Sequence, residues 1–568
     1  MRFQKPQAWG YACLVCIALV ALPATPGYAD TFTPTKLTDS ADGVCDADCS
    51  LREAVIAANA NPGADVIELG VGTYVLSLPG ANETAGDLDV TDELTIRGVD
   101  REQTIIEQTT IGERVIEVAA SVASFVLEAL GITGGNLSGV DENGAGVLGF
   151  TDLEIRRATI LANETTQGVG GGVAVEGQSD LSVFESAFLD NDAFLGSAIS
   201  TFEGEATVED SVFEDNGPSA VNLFRSKADI LRSTFTGNAP AAFSAFTDGP
   251  LVTVENSTFS DNEQAMTLFG NGPIALRYLT MVQGSGLELV NVQNSNVTIR
   301  ASALDGDCGG LFLLGSLGDN VKSGGSCTTA GPGDQINVGS PIPGLGPLAD
   351  NGGPTATHRI VDRQVSPMAG EVPSGCSSVV DQRGMVRNAC DAGATDYEVC
   401  ADLQSPLAIP DDDPVGIQVP IATALASGSD FDIIFSISHT RASDVRILLL
   451  GPPGSGIVLF DQFREAVRGA SCSGSDLRLT FDDEAELDAV TDCRDVPGLG
   501  AFPEARYRPL EPLSTLEGLF GDWIAVISDL SPGDVGQVER ICVVPDLVGV
   551  FADGFESGDV SAWTSSTP

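Results

Sequence analysis

The clearest regularity in the chain is an eleven-residue phrase whose apolar and polar positions recur in one order. It reads LEIRRATILAN from Leu153, LSVFESAFLDN from Leu181, ATVEDSVFEDN from Ala206 and ADILRSTFTGN from Ala228. VTVENSTFSDN from Val252, IALRYLTMVQG from Ile274 and VTIRASALDGD from Val297 complete the series, with successive starts 22 to 28 residues apart. Repetition at such a period marks a solenoid, because one coil cannot bury its own apolar face without neighbours stacked on it. The first and third places are apolar, as in Val252 and Val254, which is the period-two alternation of a strand. Parity breaks between the third and sixth places, so the chain bends there. The sixth and eighth places then share one face of a second short strand.

Stacking the coils predicts columns. The eighth place gives Ile160, Phe188, Phe213, Phe235, Phe259, Met281 and Leu304, and the sixth gives Ala158, Ser186, Ser211, Ser233, Ser257, Leu279 and Ser302. The eleventh gives Asn163, Asn191, Asn216, Asn238 and Asn262, then Gly284 and Asp307. An Asn at each bend can bond its neighbours' amides along the column and tolerates left-handed backbone, which makes this a structural ladder. The expected fold is all-β, a parallel β-helix, right-handed because strand crossovers favour that hand. The seven phrases alone make a rod on the order of 30 Å long at about 4.8 Å per strand.

The start of the chain has the form of an export leader, residues 1–29. Arg2 and Lys5 precede an apolar run from Trp9 to Leu22, and Gly27-Tyr28-Ala29 supplies small residues for cleavage. That run is short for a membrane span and no later stretch reaches its length, so the expected location is extracellular or cell-surface. With 28 Lys+Arg against 80 Asp+Glu, the formal charge is −52, which argues against nucleic acid and anionic membranes as partners. Beyond Cys13 and Cys16 of the leader, ten cysteines remain, an even number that suits disulfides in an exported chain. Sequence proximity suggests Cys45–Cys49, Cys308–Cys327, Cys376–Cys390 and Cys472–Cys493, leaving Cys400 for Cys542, although sequence does not fix connectivity. Two His and no CxxC after the leader argue against zinc.

From Cys45 the chain reads CDADCSLREAVIAANANPGADVIEL. Ser50 and Glu53 form a capping box, Leu51, Ala54, Val55 and Ala58 share a helical face, and Asn61-Pro62-Gly63 stops the helix. Such a helix suits a lid on the first coil, whose edge would otherwise be open. Residues Cys49 to Ala54 match the CSLREA motif, so the front of the chain resembles secreted bacterial β-helix proteins. That resemblance implies no reaction, and Arg52 and Glu53 read as capping residues rather than a catalytic pair. The glycines of Gly168-Val-Gly-Gly-Gly-Val lack the Lys-Ser/Thr of a phosphate loop and read as tight turns.

Two further resemblances lie downstream. LGPLADNGGPTATHRIVDRQVSPMAG from Leu345 and DQRGMVRNACDAGATDYE from Asp381 resemble the choice-of-anchor type Q segment, with an extra residue or two between Ala392 and Tyr397. The resemblance implies a C-terminal cap, residues 346–398, with a surface-retention role. Alternating strands from Cys400 carry His439-Thr440, Asp444, Phe481-Asp482-Asp483-Glu484-Ala485, Gly521-Asp522-Trp523, Ser528-Asp529 and Gly533-Asp534-Val535-Gly536. Residues 400–545 thus resemble the P domain (Homo B) that follows the catalytic domain of proprotein convertases, which implies a jelly-roll β-sandwich. The insert with Cys472 and Cys493 departs from that family's loops. The expected divisions are a leader at 1–29, the capped β-helix at 30–345, the anchor-like segment at 346–398, the sandwich at 399–545 and a tail at 546–568.

Candidate chemistry is sparse. A serine protease needs Ser, His and Asp together, and the only histidines, His358 and His439, fall inside segments resembling non-catalytic modules. Polysaccharide lyases and hydrolases also use β-helices, with acids and cations clustered on the outer face. The fifth place of the phrase offers such a stripe, Arg157, Glu185, Asp210, Arg232, Asn256 and Tyr278, which serves equally as an ion-pair ladder. Asp411-Asp412-Asp413, Asp444 and Asp482-Asp483-Glu484 offer hard oxygen ligands, and calcium is the cofactor the P-domain resemblance implies. The leading expectation is an exported, non-catalytic binding or adhesion protein for a glycan, a cell-envelope component or an exported protein. The alternatives are a carbohydrate-active enzyme using the outer face, and an accessory to a subtilisin-like protease.

Overall fold

Period-two alternation turns the first- and third-place side chains of each phrase inward. The chain coils so that every such strand pairs, parallel and in register, with its counterpart one coil on. The computed structural model describes residues 29–545 apart from 81, 83, 141, 287, 326, 352, 362–364, 371, 373–375, 377, 379, 386, 388–389, 398, 402, 404–405, 422–430, 442–443, 452–454, 462–475, 484, 486, 489–504, 517–522 and 534. The leader up to residue 28, the Cys472–Cys493 pairing and the tail lie outside the described residues.

First strands of the phrases belong to a twelve-stranded sheet running from Thr31–Phe32 to Gly315–Gly318. Second strands belong to an eleven-stranded sheet from Gly72–Leu76 to Val321–Lys322. A third strand per coil, outside the phrase, makes a ten-stranded sheet from Leu88–Val90 to Cys308–Gly310. The coils wind right-handed. At about 4.8 Å per strand the first sheet alone extends about 50 Å, more than the seven phrases suggest, because the irregular coils from Asp65 onward join it.

The eighth-place column is internal. Phe188, Phe213, Phe235 and Phe259 are fully buried in adjacent registers, with ring centroids 5.1, 4.6 and 4.6 Å apart and planes within 8° of parallel. Burying one such side chain contributes about 1.5–3 kcal/mol.

Left-handed backbone makes the two bends. At the first, the fifth-place residues Arg157, Glu185, Asp210, Arg232, Asn256, Tyr278 and Ala301 all have φ between 46° and 54°. This conformation costs roughly 1–2 kcal/mol per non-glycine residue. Sixth-place serines support it: the hydroxyls of Ser186, Ser211, Ser233 and Ser257 each accept the backbone N–H of the sixth-place residue one coil earlier, at 3.1–3.2 Å. At the second bend, Asn191, Asn216, Asn238 and Asn262 each accept, through Oδ1, both the backbone and side-chain N–H of the preceding coil's Asn, at 2.9–3.2 Å. The left-handed residue there is not the Asn but the one before it, Ala162, Asp190, Asp215, Gly237 or Asp261, with φ of 52–67°. The reversal precedes the Asn so that its amide points into the column.

The helix Leu51–Ala60 packs Leu51, Ala54, Val55 and Ala58 on the core of the first coils. Both bonds of its capping box are formed, Glu53 N to Ser50 Oγ at 3.2 Å and Ser50 N to Glu53 Oε2 at 2.8 Å. Arg52 is buried, its guanidinium forked on Asp39 at 2.9 and 3.1 Å and donating to the carbonyls of Gly86 and Asp87 at 2.8 Å. At the far end, bridges Leu314–Thr328 and Val321–Gln335 lay a partial coil over the last strands.

Residues of the anchor-like segment reach the last coils, where Gln335 donates to the Pro367 carbonyl at 3.0 Å and Ile360, Met368 and Ala392 share a small core with Ala303 and Val321. They lie along the outer face of the second sheet, where Thr234 donates to the Ala356 carbonyl at 2.6 Å, Gln382 bridges Thr234 and Thr258, and Ala394 N donates to Thr280 Oγ1 at 2.9 Å. Beyond them, two sheets enclose a second apolar core that includes Phe431, Phe435, Ile447, Phe481 and Trp523. Cys45–Cys49, Cys308–Cys327 and Cys376–Cys390 are disulfides. Cys542 is also disulfide-bonded, and Cys400 is its register partner on the adjacent strand. Among the described residues no helix is long and apolar enough to cross a membrane.

Candidate interaction surface

The fifth-place stripe is a bend, and its residues do not assemble a cleft. Arg157 pairs with Glu128. Arg232 forks on Asp210 at 2.7 and 2.8 Å and also meets Glu209. Burial raises the Asp210 carboxyl above its ordinary value, and Arg232 opposes the rise. Burial also works against the Arg232 charge, but Asp210 and Glu209 outweigh it and hold the guanidinium above its usual range. Glu185 is exposed.

Asn256 and Tyr278 are covered. Asn256 donates to Ser378 Oγ and the Val380 carbonyl at 2.8 and 2.9 Å and accepts from Arg387 at 2.8 Å. Tyr278 is fully buried with the Arg387 guanidinium 4.1 Å from its ring centroid. The expectation that Tyr278 meets a glycan is therefore corrected: the anchor-like segment occupies its outer side. Arg387 also reaches Asp396 at 2.8 Å, and Arg383 reaches Asp381 at 2.9 Å, so the charges of this segment hold it to itself and to the coils.

The acidic residues considered for calcium do not converge. Asp411 accepts from Gly533 N at 2.9 and 3.1 Å, and Asp412 is a left-handed turn residue. Asp444 lies 3.7 Å from the Arg441 guanidinium, Asp482 is buried, and Asp483 accepts from Leu513 N and Ser514 N at 2.7 and 2.9 Å. Among the described residues, no three His, Cys, Asp or Glu side chains are grouped as a metal ion requires. These five residues do not fit one bound cation, because Asp411 and Asp483 already serve as backbone caps in different loops.

Both histidines are packing residues. His358 bonds the Gly346 carbonyl at 2.8 Å and Ser260 Oγ at 2.9 Å, fixing the anchor-like segment to the coils, and burial lowers its pKa. His439 lies 3.3 Å from Asp529, both buried, and its ring fills the space where a side chain at Gly536 would stand.

The feature that the phrase did not reveal lies four to six residues ahead of it. Phe202, Phe224, Phe246 and Phe269 stand at or one residue before the ends of successive strands of the third sheet, in matched register and facing outward. Centroids of the first three are 4.9 and 5.2 Å apart with planes within 11° of parallel. Phe202 is 46% and Phe269 40% exposed. The chain then turns the corner into the first sheet with charge at Glu203 and Arg225, directly after Phe202 and Phe224, and at Asp248, two residues after Phe246; Glu205 and Lys227 follow two residues beyond Glu203 and Arg225. Arg225 lies 5.2 Å from the Phe224 ring, 3.4 Å from Glu203 and 3.9 Å from Asp248, while Lys227 pairs with Glu205. Leu251, 44% exposed, extends the apolar strip. The result is a ridge of aromatic edges about 15 Å long at about 4.8 Å per coil, with a charged rim. Its sequence signal was a Phe at, or one residue before, the end of four successive third strands, outside the eleven-residue window.

Residues 153–336 match the family model described as right handed beta helix region. No curated protein matches the chain.

Proposed function

We propose that the chain is an exported, non-catalytic binding or adhesion protein whose rigid rod presents the phenylalanine ridge to a protein surface. The ridge carries this reading: four outward phenylalanines stand in register on successive strands of one sheet. A sugar ring stacks on an aromatic face, but both faces of Phe224 are taken by Phe202 and Phe246, so the middle of the ridge presents an edge, which suits the apolar side chains of a protein. Contiguous exposed apolar patches with polar rims mark interaction sites. The disulfides support an oxidising compartment and hence export. The outer-face acids nearest to a catalytic arrangement, Asp210 and Glu209, are held by Arg232.

The test compares labelled full-length chain with its Phe224→Asp variant on immobilised proteins, exported envelope proteins and the chain itself, and on a glycan panel. Saturable binding to protein, lost in the variant while the circular dichroism spectrum of the folded chain is retained, is the expected result. Release of reducing ends or unsaturated uronates from the panel, abolished by Asp210→Ala, overturns the proposal.

A further inference from the structure

We propose that the ridge seats a second copy of this chain, two rods lying antiparallel with phenylalanine column against phenylalanine column. The inference rests on the reading of the ridge as a contact surface and names its partner. A chain of formal charge −52 repels its own copy over most of its surface. At the ridge that repulsion is reduced, because Arg225 and Lys227 offset two of the three charges of Glu203, Glu205 and Asp248 around an uncharged aromatic strip.

The order of these charges selects the orientation. Along the rod, successive coils present Glu203 next to Phe202, Arg225 next to Phe224 and Asp248 two residues after Phe246, with Arg225 and Asp248 3.9 Å apart. A two-fold axis along the rods would leave the charged corners of the two copies on opposite sides of the phenylalanine contact, where neither meets the other. A two-fold axis between Phe224 and Phe246 instead brings Phe224 of each copy opposite Phe246 of the other, and Phe202 opposite Phe269. The same operation sets Arg225 of each copy against Asp248 of the other, twice. Glu203 then meets the uncharged Gly270-Asn271 corner, and Lys227 meets Leu251. No like charges face each other, and one patch complements itself, as a two-fold contact requires.

The experiment is sedimentation equilibrium of the full chain over a concentration series, with four variants. Wild type is expected to reach a dimer, and Phe224→Asp to abolish it while the circular dichroism spectrum of the folded chain is retained. Arg225→Asp and Asp248→Arg each weaken dimerisation by at least about tenfold, and the double exchange restores it. A wild type that stays monomeric into the high-micromolar range overturns the dimer. If Phe224→Asp still abolishes binding to envelope protein in that case, the ridge remains a contact surface and only the identity of its partner falls. A dimer indifferent to all four variants overturns the proposal by placing the contact elsewhere.

Discussion

Two columns of phenylalanine climb the same coils. Phe188, Phe213, Phe235 and Phe259 stack at 4.6–5.1 Å inside the second sheet with no exposure. Phe202, Phe224 and Phe246 stack at 4.9–5.2 Å on the outside of the third. Residue type, parallel stacking and spacing are shared, because both columns obey the repeat of the solenoid. The environment on the far side of the ring differs. Internal rings meet the apolar side chains of the other sheets and hold the coils together, whereas external rings meet water along one edge. The same geometry thus yields scaffold in one place and contact surface in the other, and mutation should separate the two roles.

Phe213→Ala should have the largest effect. Removing a fully buried ring from the middle of a stack leaves a cavity and costs about 3–5 kcal/mol, read as a shift in the denaturant midpoint. Asn216→Ala should come next, since it strips the acceptor from the backbone and side-chain N–H of Asn191, both buried. A loss of about 1–3 kcal/mol is expected by the same measurement.

Acid should probe the helical lid separately from either column. Burial pushes the Glu53 carboxyl upward, but the N–H groups of Ser50 and Asp42 and the hydroxyls of Ser40 and Ser50 outweigh it and hold its pKa at about 2, against 4.5 for a free Glu. A depressed folded-state value means that the stabilisation is complete above about 4.5 and disappears as pH falls through about 2. Glu53→Gln should therefore be less stable than wild type at neutral pH, with the difference closing across that window in a pH series of denaturant melts.

The smallest stability change should come from Phe224→Ser, about 1 kcal/mol or less, as for a partly exposed side chain. Its association should nevertheless be lost. If Phe224→Ser costs as much stability as Phe213→Ala, the distinction between the columns fails and the outer stack is structural too.

Much of the scaffold was legible in the residues. The eighth-place column, the serine and asparagine ladders and the capping box at Ser50 each follow from short-range pattern. Placement of left-handed backbone one residue before the Asn was not, because parity locates a bend without saying which residue reverses it. The fifth-place stripe was legible as outward and charged, and part of it is indeed paired. Its accessibility was not legible: Asn256 and Tyr278 are covered by Ser378, Val380 and Arg387, more than a hundred residues away in the chain. The threonines that receive this segment, Thr234, Thr258 and Thr280, carry no signal that distinguishes them from ordinary outward strand residues.

By itself the sequence determined the coil, its internal columns and the closed N-terminal end, because alternation and repeat length fix which side chains point inward and which meet one coil on. Tertiary structure alone decided which outward residues stay outward. That depends on where a distant segment lies down, and here it buries the second sheet's threonines and leaves the third sheet's phenylalanines facing water.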